Sequence, residues 1–176
     1  MKRTIAITLM MFTLLTALLF AHAEAALASV DEVTAKSTAL MHAALTENDV
    51  TALTVKRDIE DGVEVYEVEF WMDTTEYDYD VDAATGEILS FDIESKGAEL
   101  PQFSEAGIAP ETALKTALDK VGVREEDVTI VEASIKSRAG QAKYKIEFIS
   151  GNMEYEIEID AASGAILEYD AESEDD

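Results

Sequence analysis

Carboxylates carry most of the chemical potential of this 176-residue chain, in which 38 Asp and Glu stand against 13 Lys and Arg. They fall in alternating runs, Glu67-Val68-Glu69 and Asp78-Tyr79-Asp80-Val81-Asp82. Paired carboxyls can divide general acid and base work between them, but the acid must be desolvated to keep its proton. On a strand face open to water these groups are expected to be solvated and unshifted. Asp78-x-Asp80-x-Asp82 invites comparison with a calcium loop. That comparison fails, because the sixth position is Ala83 instead of Gly and the twelfth is Leu89 instead of Glu. No metal site is therefore assigned, and a loose cation site on the acidic face is the alternative. Nucleophilic catalysis needs a base beside a nucleophile. The chain has no Cys, and His42 is the single His beyond the first 23 residues. His42 stands on an expected helix with no partner motif and reads as a surface side chain. No catalytic residue and no cofactor are assigned.

Binding is the better use of this surface. Trp71 and Met72 follow Phe70 at the end of an alternating run, just past Glu67 and Glu69. Continued alternation would turn Trp71 toward the acidic face, where an exposed Trp is a common interface anchor. Trp71, Met72, Glu67 and Glu69 are the candidate protein-binding residues. Packing of Trp71 on the other unit or on the linker is the alternative.

The elements that must position these residues occur twice. Residues 30–92 laid on 108–170 need no gap and share 22 identities in 63 positions. A constant offset over that length indicates a duplicated unit. Tyr66, Val68, Phe70, Tyr77, Tyr79 and Val81 alternate with charged residues, as do Tyr144, Ile146, Phe148, Tyr155, Ile157 and Ile159. Successive strand side chains point to opposite faces, so each unit predicts an antiparallel sheet with one packed and one wet face. Asp82-Ala83-Ala84-Thr85-Gly86 and Asp160-Ala161-Ala162-Ser163-Gly164 read as tight turns. A capping signal at Ser29 or Asp31 starts a first helix, expected to bury Val33, Leu40, Met41, Ala44 and Leu45, and Pro110 starts a second. The predicted fold class is α+β: two tandem repeats, each one helix packed on a four-stranded antiparallel sheet. The expected boundaries are 29–94 for the first unit, 95–107 for a linker, 108–171 for the second unit and 172–176 for a frayed acidic tail.

Residues 1–23 read as a signal peptide: Lys2 and Arg3, an apolar run from Ile5 to Ala21, then small-x-small cleavage sites. An uncleaved anchor is the alternative. Removing that segment leaves 11 basic against 38 acidic residues, a net charge of −27. Such a surface repels nucleic acid and anionic lipid, so neither is an expected partner, and no membrane contact is expected once the signal is cleaved. It suits cations or basic proteins, unless its role is solubility alone or adaptation to salty surroundings.

The run Tyr-x-Val-x-Phe, then Tyr-x-Tyr-x-Val-Asp-Ala-Ala-Thr-Gly-Glu-Ile-Leu from Tyr77 to Leu89, resembles the PepSY domain, and so does its second copy. The second copy departs from the family pattern at Ala165 and Ala109, which bear on turn and cap stability. The resemblance implies an exported, non-catalytic module that restrains or modulates a peptidase, located outside the cell, in the wall or in the periplasm. Its expected partner is a secreted peptidase or another envelope protein. The alternative function is an acidic structural or cation-binding envelope protein without a specific protease target.

Overall fold

The computed structural model describes residues 29–97, 100–101, 103 and 107–173. The expected signal segment, residues 1–23, lies outside the described residues. Element order is α1 (Glu32–His42), β1 (Thr51–Glu60), β2 (Val63–Met72), β3 (Thr75–Asp82), β4 (Ile88–Lys96), α2 (Pro110–Val121), β5 (Thr129–Arg138), β6 (Gln141–Ser150), β7 (Met153–Asp160) and β8 (Ile166–Ser173). A single 3-10 turn, Glu125–Asp127, precedes β5. Every strand of the first repeat starts 78 residues before its counterpart in the second.

The eight strands form one antiparallel sheet in chain order, β1 to β8. The two four-stranded sheets expected in tandem are one continuous sheet: β4 hydrogen-bonds to β5 and the repeats join edge to edge. The reason lies in the strand edges. A unit this small buries only about 60% of its unfolded surface and is marginal alone, and an open edge leaves a row of backbone groups unpaired. Pairing β4 with β5 removes two edges and merges the cores. Asp92 and Lys136 meet across the seam at 2.8 Å, as do Lys96 and Glu132 at 2.6 Å.

Both helices pack on the apolar face, α1 against β1 to β3 and α2 against β6 and β7. The alternating apolar residues enter the core as their period requires. Tyr77, Tyr79, Tyr144, Phe70 and Phe148 are fully buried. Burying a Tyr leaves a hydroxyl to satisfy, and the repeats solve this alike: Tyr66 donates to the Val30 carbonyl and Tyr144 to the Ile108 carbonyl. Helix α1 starts at Asp31, whose carboxylate accepts from the Thr34 amide at 2.8 Å. It buries Leu40 as predicted, and Leu45 just beyond it packs on the core, but Val33, Met41 and Ala44 do not enter it. Ala35, Ala39, Leu40 and Ala43 face the core, while Val33 and Met41 are exposed. A sheet already filled with Tyr and Phe rings leaves room for a close helix bearing small side chains, and bulk turns outward.

The segment between repeats is tied to the core at two points. Phe103 sits among His42, Phe91 and Tyr144, with ring centres 6.1 to 6.2 Å away. Gly107 lies so close to the Ala161 carbonyl that a Cβ would stand 2.5 Å from the oxygen, and its φ of +157° suits glycine. Strand β4 extends to Lys96 and β8 to Ser173, so part of the expected linker and part of the expected acidic tail are strand. Residues 174–176 lie outside the described residues.

Candidate functional site

The outer face of the first repeat collects carboxylates because register aligns them. Glu69 stands opposite Asp78 and Asp78 opposite Asp92, while Glu67 stands opposite Asp80. One oxygen each of Glu67, Glu69 and Asp78 falls within 4.8 Å of the others. Arg138 reaches Asp61 at 2.8 Å, and a trough of about 330 Å³ on this face is lined by Glu67, Asp78, Asp80 and Asp92 together with Lys136 and Arg138. Ser90 hydrogen-bonds to Asp80 at its floor.

This crowding has an electrostatic consequence. Burial, then the charges of Glu67, Asp80, Glu69 and Asp92, push the Asp78 carboxyl up to about 6. The expectation of unshifted carboxylates is thus corrected: Asp78 lies on an interior strand, and flanking side chains take water from it. Chemically, the trio can hold a proton or a hard cation shared between oxygens. At the turns the balance is opposite. Asp82 accepts from the Ala84 and Thr85 amides at 2.7 Å, and the backbone bond from Thr85 leads in holding its carboxyl below the ordinary range.

The second repeat neutralises the same place from within. Glu67 is replaced there by Lys145, Glu69 by Glu147 and Asp78 by Glu156. The Lys145 ammonium lies 2.9 Å from Glu156 and 3.5 Å from Glu147. Burial works against its charge, but Glu156, Glu132 and Glu147 outweigh that and raise its pKa. The first repeat has a carboxylate where the second has its own cation. The internal alignment held this signal, at Glu67 against Lys145.

Of the four predicted site residues, three share the outer face. Glu67, Glu69 and Trp71 alternate along β2, with Trp71 opposite Glu76 and 37% exposed. Met72 is separated from them, packed against the core beside the sheet end. His42 is not a surface residue: it is half-buried, its Nδ1 lies 3.1 Å from the Tyr79 hydroxyl, and burial lowers its pKa. Its role is packing against the Phe91 ring, 4.7 Å away.

The profile of the PepSY family, the peptidase propeptide and YPEB domain, matches residues 34–92 and 107–170. The chain belongs to the PepSY family. An uncharacterized protein of Streptococcus pyogenes serotype M6, Spy1430, is 47% identical over 60 residues. That stretch is 34% of this chain and 46% of the other, so the match spans about half of that relative. Among solved structures, a candidate lipoprotein of Clostridium difficile 630 shares 25% identity at a TM-score of 0.34, covering 70% of this chain and 82% of that one. The Bacillus megaterium YpeB C-terminal domain shares 12% at 0.36, covering 81% and 98%. The PepSY match names a propeptide and regulatory domain and indicates no catalytic family. No helix among the described residues is long and apolar enough to cross a membrane.

Proposed function

We propose that this PepSY protein is an exported, non-catalytic binding protein that restrains or modulates a secreted peptidase, acting outside the cell, in the wall or in the periplasm. The first repeat docks the partner through its outer face. The observation that carries this reading is the placement of Trp71, partly exposed on the same face as Glu67 and Glu69. An acidic rim speeds encounter with a basic partner, and a desolvated aromatic holds the complex afterwards. Met72 supports the strand end from the core side.

The test is binding kinetics against peptidases secreted by the same cells, with residual proteolysis read alongside. Trp71→Ala should raise the off-rate about tenfold or more, as loss of an anchor does. Glu67→Lys with Glu69→Lys should slow association and flatten its salt dependence. Equal kinetics for all three proteins, or no peptidase captured, overturns the reading.

A second reading is favoured by the convergence of Glu67, Glu69 and Asp78: an acidic envelope protein that holds a hard cation. Millimolar calcium should then raise the melting temperature well beyond sodium chloride of equal ionic strength, and Asp78→Asn should abolish the excess. No excess stabilisation overturns it.

A further inference from the structure

We propose that the open edge of β8 is a docking site for an extended partner segment alternating basic and apolar residues, which it takes up as a ninth strand. This surface lies on the opposite repeat from Trp71, and the inference stands whether or not the partner of that site is a peptidase.

The molecule contains a worked precedent, since β8 is the counterpart of β4 and β4 already accepts a strand. Its partner, β5, brings Lys136 to Asp92 and Arg138 to Ser90 on the outer face, and Ile135 to Ile93 on the inner face. With β5 and Phe103 in place, Phe91 is 5% exposed and Ile93 is fully buried. In β8, Tyr169 occupies the place of Phe91 and is 41% exposed. The whole of β8 is exposed along its length, and among the described strands β7 is its one sheet neighbour. Lys120 lies over the Tyr169 ring at 5.0 Å and Tyr155 beside it at 6.4 Å, but no strand continues the layer as β5 continues that of β4.

Charge selects the occupant. The outer side of β8 presents Glu168, Asp170 and Glu172, opposite Glu158, Glu156 and Glu154 of β7. A strand carrying Lys or Arg at alternate positions would meet them as β5 meets β4, with its apolar side completing the layer around Tyr169. Main-chain pairing supplies affinity in strand addition, and alternate side chains supply specificity.

A second copy of the chain does not fit. The counterpart of β5 is β1, and carrying the β4–β5 register to a β8–β1 contact sets Glu168 against Glu60 and Asp170 against Asp58. It also sets Arg57 into the inner layer where Ile135 sits in the existing seam. Like charges directly opposite one another destabilise a strand pair. The occupant is therefore a different chain with a basic outer side.

The probe is a synthetic peptide with the sequence of Thr129–Arg138, the strand that β4 accepts, added to the full protein. Backbone amide exchange is read strand by strand. The expected result is slowed exchange at Ile166–Ser173, with Thr51–Glu60 unchanged. Binding should weaken severalfold as salt is raised past physiological strength, where the screening length falls below about 8 Å. A peptide with Lys136→Glu and Arg138→Glu should not bind, and Asp170→Lys in the protein, at an exposed position, should lose the wild-type peptide. Protection falling instead on β4 or β1, equal binding of both peptides, or no binding up to about 1 mM peptide, weaker than roughly 4 kcal/mol, overturns the inference.

Discussion

Asp78 is the residue where sequence and structure diverge most usefully. Alternation places it on the wet face, and it does point there. Its desolvation depends on neighbours from β2 and β4, which no local pattern reveals. Its raised pKa sets a sign for stability. The folded state holds the Asp78 proton more tightly than the unfolded chain does, so this contribution is complete below the ordinary carboxyl pKa of 3.8 and is lost as pH rises through about 6. Asp78→Asn should therefore stabilise the protein at pH 7 by on the order of 1 kcal/mol, a figure reduced for partial solvent screening. At pH 4 the gain should vanish. Urea denaturation of both proteins at the two pH values checks this, and a gain that persists at pH 4 would assign it to packing instead. The turn carboxylates act in the opposite sense: Asp82 and Asp160 are held low, and their contribution is lost as pH falls.

Among the elements, strands were more legible than helices. Period-2 alternation named the buried rings of both repeats, and the Asp-to-Gly turns formed as read. On α1 hydrophobicity points correctly to Leu40 and Leu45 but wrongly to Val33 and Met41, because space above an aromatic sheet favours Ala35 and Ala39. The equivalence of the repeats is testable at Phe70 and Phe148, both fully buried. Phe→Ala at either should cost about 3–5 kcal/mol, and the two costs should be similar. Thermal or urea unfolding decides, and a small loss at Phe148 would mean that the second core is loosely formed. Gly107→Ala tests the connecting segment. Its new Cβ would meet backbone at the Ala161 carbonyl, so a loss of stability of about 1–3 kcal/mol is expected. Gly62→Ala meets nothing within 4 Å and bears only the strain of its left-handed φ of +86°, so it should cost less.

For the molecule as a whole, the duplication was plain in the sequence but the joining of the sheets was not. Offset identities show that a unit recurs, and they are silent on whether β4 meets β5. That pairing rests on Asp92–Lys136 and Ile93–Ile135, contacts between positions that alternate correctly but carry no register signal of their own. The acid excess makes a global prediction. Added sodium chloride should raise the melting temperature from low to moderate strength, because repulsion among excess carboxylates is screened more than the ion pairs are weakened. A flat or falling melting temperature would show that the pairs dominate. The same charges oppose a β8–β1 contact between copies. In Glu168→Lys with Asp170→Lys, the opposed carboxylates of a β8–β1 contact become ion pairs with Glu60 and Asp58. Sedimentation should then show concentration-dependent association that the wild type lacks.

Strand order that equals chain order also fixes how the molecule yields to mechanical load. A pull applied between β1 and β8 acts across the sheet and opens hydrogen bonds in sequence, like a zipper, instead of shearing many at once. Each strand lost leaves its neighbour as the next to peel. Phe103, lodged between the two repeats beside Tyr144 and Phe91, acts as a rivet at the midpoint. Extension should proceed at low force and pause once half the sheet has unravelled.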